Sequence, residues 1–421
     1  MYIRSPILAY VTTRDFAALI VSLNYAPEPT GNAPYSTKLA EGLQRRGRDV
    51  QVLTGYPHYP EWSISDGYHG MTMDQRINGI PVKRLRHAVP AEPRTLSRMH
   101  MELSYGLRSI LASWRKADVV LTVSPALFAS GLAVLKARLT RIPVGVWVQD
   151  IYSRGLEETQ GSSSLAAKIM KRVEGRILRS ASGVAVIHER FRTYIVDELG
   201  VPHDRVRVIR NWTHISVPEN VDRAMARTRF GWAPEDIVAL HAGNMGIKQN
   251  LENVVDAARL ADLQGSSVRF VLLGHGNQRQ SLEKYAQGVK NITFMDPLPD
   301  ELFTQALQAA DVLIVNEMPG VKEMSVPSKL TSYFATGRPI VAATEPDSAT
   351  ADEIRASGAG IQINSGRPQS LLEAVEELVA DTKLAASCGA AGVPYVQSVL
   401  DESRAVAAYQ DWLANLITTA R

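Results

Sequence analysis

The chain has 421 residues, a formal net charge of +3, 45% hydrophobic and 21% charged residues, and one cysteine, Cys388. So small a charge excess leaves no electrostatic footprint for nucleic acid, and a single thiol excludes a disulfide framework or a thiolate metal site. The length suits two domains of ordinary size, and the composition fits a globular enzyme in a reducing cytoplasm.

An apolar run at residues 6–11 is closed early by Arg14 and Asp15, which argues against a secretory signal. Strands are then predicted at 17–23, 49–54, 119–123, 144–148, 183–187 and 206–209. Helical patterns at 35–46, 96–114, 126–139, 165–179 and 189–199 separate them. Asn78-Gly79 lies between two short strand patterns and predicts a hairpin. A polar stretch at 211–219 sets the domain boundary near residue 215, after which strands restart at 237–241, 268–273, 292–295, 312–315, 339–343 and 360–363. Residues 368–421 read as helix almost throughout. The expected fold is α/β, with Rossmann-like doubly wound parallel sheets at 1–215 and 216–402. The longest apolar stretch, 119–137, is interrupted by Pro125, Gly131 and Lys136 and predicts no membrane span.

In open parallel sheets, ligands bind beyond the carboxyl ends of the strands. Several loops there carry unusual chemistry. Residues 24–35 combine prolines with Gly31, Asn32 and Tyr35. Residues 55–62 gather His58, Tyr59 and Trp62, whose rings suit a sugar face, so Asn32, Tyr35, His58, Tyr59 and Trp62 are the acceptor-side candidates. Asp150 ends a buried strand, where a carboxylate is costly without a partner. Residues 242–249 carry Gly243, Asn244, Gly246 and Lys248, a mobile backbone beside a cation able to reach phosphate. Each loop also has a plainer reading: an ordered turn, a packed aromatic cluster, a structural acceptor, a helix start.

The most informative segment is Ser325-Val-Pro-Ser-Lys-Leu-Thr-Ser-Tyr-Phe-Ala-Thr-Gly-Arg-Pro, read as a loop, a short helix ended by Gly337, and a strand. Ser325, Ser328 and Lys329 at the helix start make it a candidate anion site, with ordinary helix capping as the alternative. The segment resembles the donor-binding loop and helix of retaining glycosyltransferases of the family 4 type, in the colanic-acid and O-antigen branch that carries Pro-Ser-Lys…Gly-Arg-Pro. The resemblance runs from about residue 19 to beyond 363, and residues 55–62 repeat that branch's aromatic segment.

The resemblance implies the GT-B fold, two facing Rossmann-like domains with a nucleotide-diphosphate sugar in the cleft and no cofactor or metal ion. It also implies that a final helix at about 403–418 crosses back to the first domain. Donor contacts are implied for Gly31, Gly243, Asn244, Lys248, Glu323, Ser325, Val326, Pro327, Ser328, Lys329 and Ser332. Asp150, Lys248 and Lys329 are the candidates for the chemistry. Departures are specific: Asn32 follows Gly31 where relatives have a second glycine, Gln149 precedes Asp150 in place of histidine, and Asn244 replaces an arginine. The two glutamates of many relatives fall on Met324 and Ser332, with Glu323 one position away from the first.

A dinucleotide oxidoreductase is disfavoured, since Leu273-Gly-His-Gly-Asn-Gln-Arg279 lacks the third glycine. A nucleotide-sugar epimerase and a carbohydrate-binding protein stay open as alternatives. The acceptor, whether carbohydrate, lipid-linked or a small molecule, is not readable. Residues 94–114, with Arg98 and Arg108, and 165–179, with Lys168 and Arg172, read either as core-facing helices with solvated basic faces or as helices lying on an anionic membrane. A hinge is expected at 211–219.

Overall fold

The computed structural model describes residues 15–29, 31–92, 95–114, 116–160, 164–213, 215, 221–322 and 328–420. The first sheet holds β1 (Ala17–Ser22), β2 (Asp49–Gly55), β3 (Thr72–Ile77), β4 (Ile80–Leu85), β5 (Val119–Ser124), β6 (Val144–Val148), β7 (Gly183–Val186) and β8 (Val206–Val208). Their order is β3-β4-β2-β1-β5-β6-β7-β8, parallel except for the β3–β4 hairpin. Asn78 and Gly79 form that turn with φ of 51° and 84°, the positive values a two-residue turn between twisted strands requires. β5, β6 and β7 are buried along their whole length, which is why they read as unbroken apolar runs.

The second sheet holds β9 (Ile237–Ala242), β10 (Val268–Leu273), β11 (Ile292–Met295), β12 (Val312–Asn316), β13 (Ile340–Ala343) and β14 (Gly360–Ile363), ordered β11-β10-β9-β12-β13-β14. The two-residue period of a strand divides its side chains between two cores. Leu313 and Val315 join Tyr333 and Phe334 on one face; Val312 and Ile314 join Val254 and Leu371 on the other.

Strand order reverses between β1 and β5 in the first sheet, and between β9 and β12 in the second. Loops leaving neighbouring strands at such a point diverge and leave a crevice at the carboxyl edge. Residues 23–29, 31–32 and 125–126 border one crevice; residues 243–249 and 317–322 border the other.

The final helix, Glu402–Thr419, lies on the first domain, where Arg45 donates to Glu402 at 2.6 Å and Arg46 to Gln410 at 3.0 Å. Trp412 and Leu416 rest on β6 and β7 at two glycines. A Cβ at Gly145 would stand 2.5 Å from Trp412, and one at Gly183 would stand 2.8 Å from Leu416, so only a bare backbone admits the helix this closely. Between the domains, the buried Glu353 carboxylate pairs with Arg210, accepts from Tyr395 at 3.0 Å and lies 3.2 Å from His188; Arg190 pairs with Asp352.

In the first domain, the helix Tyr152–Gln160 has no counterpart in the expected elements. Its anchor is tertiary: buried Glu174 accepts from the Tyr152 and Ser153 amides at 2.9 Å each, satisfying donors that the local sequence leaves open.

Candidate functional site

Buried glutamates fix the loops of the first-domain wall. Glu28 accepts from the amides of His58 at 2.8 Å and Tyr59 at 3.0 Å, and its second oxygen accepts from Asn24 at 2.9 Å. Glu102, on the helix Thr95–Leu111, accepts from the Phe128 amide at 3.1 Å. It thereby caps the helix Leu127–Thr140, whose own N-cap residue, Ala126, has no side chain able to do so. Burial pushes the Glu102 carboxyl up to about 7 against the pull of that amide bond. With Glu174, these carboxylates hold three cleft-edge segments in place. None of the three was among the candidates. A carboxylate one turn from Arg98, on the side that also buries Tyr105, is the signal that would have found Glu102.

Gly31 turns the first loop with φ of 66°, and the Tyr59 ring lies 3.5 Å from where its Cβ would be. The Asn32 side chain donates to the Ser124 carbonyl at 3.4 Å and so bridges β1 and β5 at the reversal point. Tyr59 and Trp62 are partly exposed, their rings edge-on at 5.7 Å. Tyr35 and His58 are instead buried at 2% exposure each. Tyr35 stands edge-on to Trp212, and its phenol is pushed up to about 12 by burial, opposed by a hydrogen bond with Thr331 of the second domain. Gln149 is buried and forms a reciprocal amide pair with Asn211, with donors at 2.7 Å and 3.3 Å.

The second-domain wall is built around β9. His241 is fully buried in that strand, and Lys329 Nζ lies 3.0 Å from its Nε2. Burial, then the Lys329 charge, holds the imidazole well below its ordinary range, so it is neutral and accepts from Lys329. Burial also lowers Lys329 to about 7, opposed by Glu317. The lysine lies over Gly243, 3.8 Å from the position of a Cβ there. Gly274 closes against the same loop, since its Cβ would meet the Gly243 carbonyl at 2.1 Å. Tyr333 OH takes the Ala242 amide at 2.8 Å and pins the helix Lys329–Ala335 to the Gly243 loop.

Lys248 and Asn244 are exposed, and the Lys248 carbonyl accepts from the Met318 amide at 2.8 Å. Buried Asn316 fixes the turn that carries Lys248, donating to the carbonyls of Gln249 at 2.8 Å and Asn250 at 2.9 Å. Ser328 is exposed at the start of the helix, whereas Ser332 is buried at 4% exposure. Glu323, Ser325, Val326 and Pro327 lie outside the described residues, as does most of the expected hinge.

Asp150 sits between the walls. Burial raises its carboxyl above the ordinary range, while Lys248 and then Arg98 pull it down. Arg98, on a helix that the sequence leaves open between a core-facing and a membrane-lying reading, points to the cleft, 5.8 Å from the centre of the Trp62 ring. Among the described residues no three metal-ligating side chains come together, and no helix is long and apolar enough to cross a membrane.

Two family models match the chain in succession, a glycosyl transferase 4-like domain over residues 30–212 and glycosyl transferases group 1 over residues 236–381. The chain belongs to the family 4-type glycosyltransferases. Among similar proteins, WcaI of Escherichia coli (strain K12), named as a colanic acid biosynthesis glycosyl transferase, is 29% identical over 76% of this chain and 81% of its own. A sucrose-phosphate synthase from Thermosynechococcus elongatus superposes with a TM-score of 0.75 at 16% identity, over 96% of this chain and 100% of that one. HepE of Anabaena, solved in complex with UDP, gives 0.70 at 16% identity, over 95% of this glycosyltransferase and 100% of that chain. The fold of this glycosyltransferase is GT-B.

Proposed function

We propose that this glycosyltransferase moves a sugar, with retained anomeric configuration and without a metal ion, from a nucleotide-diphosphate sugar to an acceptor hydroxyl. The observation that carries the reading is the placement of Lys248 and Lys329 at the reversal point of the second sheet, with Asp150 of the first domain opposite. A departing diphosphate needs preorganised positive charge, and cations fixed on the chain supply it without reorganisation at the moment of transfer. Lys329 lies over the Gly243 loop, where the diphosphate approaches the backbone; Lys248 reaches from the same edge. Gly31, Asn244 and Ser328 complete the donor side among the described residues, and Glu323, Ser325, Val326 and Pro327 are assigned to it from the sequence alone.

The acceptor, a carbohydrate, a lipid-linked sugar or a small molecule, enters over Tyr59 and Trp62. Attack from the face that the diphosphate leaves gives retention without a protein nucleophile, and Asp150 orients the reacting sugar. The likeness to WcaI favours polysaccharide biosynthesis as the setting.

Incubation with a panel of nucleotide sugars and acceptors in excess chelator tests this. Release of nucleoside diphosphate with a product of retained configuration, read by NMR, is the expected result. Dependence on added divalent ion overturns the metal-free part. Isomerised donor without release indicates an epimerase, and binding without turnover indicates a carbohydrate-binding protein.

Peripheral membrane contact belongs to the same proposal. Leu107 and Leu111, Leu135 and Leu139, and Leu165 and Ile169 are exposed on three first-domain helices, Thr95–Leu111, Leu127–Thr140 and Leu165–Ser180. These helices pack through Gly106 against Ala129 and through Gly131 against Ile177. Arg108, Arg138, Lys168 and Arg172 lie on the same helices, a composition suited to an anionic surface. Flotation with vesicles containing phosphatidylglycerol, but not with phosphatidylcholine alone, is expected.

A further inference from the structure

Arg98 is the cleft residue whose chemistry the transfer reaction leaves unused. It stands in the first turn of the helix Thr95–Leu111, where a cation opposes the helix dipole and gains nothing from the helix itself. Arg98 is half-buried, its Nε is buried with no hydrogen-bond partner, and among the described residues it forms no ion pair with a carboxylate. Leaving a buried charged donor unmet is costly, and folds retain such a group where a partner arrives from outside.

The neighbouring carboxylates do not fill the role. Glu28 is held by the His58 and Tyr59 amides, and Glu102 by the Phe128 amide. Asp150 feels Lys248 first and Arg98 second, and among the described residues it forms an ion pair with neither. What Arg98 does face is the acceptor-side aromatic pair: its guanidinium lies 5.8 Å from the Trp62 ring centre, and its charge is felt at the Tyr59 phenol.

We infer that Arg98 binds an anionic group of the acceptor, so that this enzyme takes acidic rather than neutral acceptors. The inference rests on the transferase reading above and specifies its second substrate. A sugar lying against Tyr59 and Trp62 presents a carboxylate or a phosphate to the guanidinium, whose planar fork matches either anion in two parallel hydrogen bonds. Trp62 then does two things, packing the sugar and holding the guanidinium plane. Lysine in place of Arg98 keeps the charge and loses the fork.

The test uses the full chain with its donor loop filled by UDP or GDP, whichever binds, so that anionic probes cannot settle at Lys248 and Lys329. Methyl glucuronide, citronellyl phosphate and methyl glucoside are titrated by calorimetry into wild type, Arg98→Gln and Arg98→Lys. At least one anion should bind wild type tenfold or more tightly than the neutral glycoside. That preference should vanish in Arg98→Gln and persist in part in Arg98→Lys. Preference for the glucuronide assigns an acidic sugar, and preference for citronellyl phosphate assigns a lipid phosphate. Equal binding of all three probes to wild type, or an anion preference that survives Arg98→Gln, overturns the inference. So does a fall in nucleoside diphosphate affinity in Arg98→Gln, which would make Arg98 a donor residue. Failure of the wild type to bind any nucleoside diphosphate is a different result and would count against the transferase reading itself.

Discussion

Lys329 Nζ lies 3.0 Å from Nε2 of the fully buried His241, and this contact joins the start of the helix Lys329–Ala335 to the carboxyl end of β9. A lysine donating to a neutral imidazole is poorly compensated for the loss of water. Its ammonium is accordingly held down to about 7. An ammonium kept half-charged in the empty site and fully charged by a bound diphosphate is well suited to sense the donor.

Replacing Lys329 by alanine should therefore reduce turnover far more than stability. Loss of a cation from a departing diphosphate costs about 2–4 kcal/mol of transition-state stabilisation, a fall in kcat of roughly 30- to 1,000-fold. The folded state loses only a costly buried charge, so the melting temperature should stay within a few degrees. Wild-type turnover in the variant would return Lys329 to a structural role.

The same group predicts a pH dependence of donor binding. In the free protein Lys329 titrates near 7, and bound phosphate raises that value. Below pH 7 the ammonium is already formed and affinity is at its plateau. Above pH 7 binding must take up a proton, so affinity falls by up to tenfold per unit until the raised value of the complex is reached. Calorimetry of nucleoside diphosphate binding between pH 6 and 9, in buffers of different ionisation enthalpy, should register this uptake in wild type and not in Lys329→Met.

Glu102 gives a stability prediction of definite sign. Its folded carboxyl, pushed up to about 7 from an ordinary 4.5, holds a proton that the unfolded chain has released. The associated stability is full below about pH 4.5 and is lost as pH rises through 7. Glu102→Gln should remove this slope while keeping an acceptor for the Phe128 amide. At pH 8 the variant should be more stable than wild type by about 2–3 kcal/mol, measured by denaturant melts at pH 5 and pH 8. Parallel pH profiles for the two proteins would contradict it.

Gly274 separates backbone crowding from backbone conformation. Both Gly274 and Gly288 have positive φ, 136° and 82°. A Cβ at Gly274 would meet the Gly243 carbonyl at 2.1 Å, whereas one at Gly288 meets nothing within 4 Å. Gly288→Ala should cost about 1 kcal/mol, and Gly274→Ala more than about 2 kcal/mol, with weaker nucleoside diphosphate binding as the Gly243 loop is displaced. Equal losses would mean that the two loops are not in contact.

Strand positions and the Asn78-Gly79 hairpin were legible in the sequence because each depends on neighbouring residues: unbroken apolar runs between helices, and a turn that demands positive φ. The loops that border the two crevices were legible too, since loops after parallel strands mark the carboxyl edge of each sheet. What stayed hidden depends on residues far apart in the chain. Glu102 and Glu174 cap helices that begin 25 residues downstream or 22 upstream of themselves, a distance no local pattern spans. Arg98 was left open for a related reason: where a basic residue of an amphipathic helix points is not fixed until the packing of that helix is known. His241 was passed over inside an apolar strand, where one imidazole is most simply read as part of the core.

The return of the helix Glu402–Thr419 to the first sheet has a practical consequence for engineering. The first domain is discontinuous in the gene: its aromatic floor, Trp147 and Trp212, is finished by Tyr409 from the far end of the chain. A chimera that exchanges second domains between relatives needs two junctions, one between β8 and β9 and another just before Glu402. With a single junction, a foreign terminal helix would have to fit over Gly145 and Gly183, and the register of Trp412 and Leu416 against those two glycines would decide whether the hybrid folds.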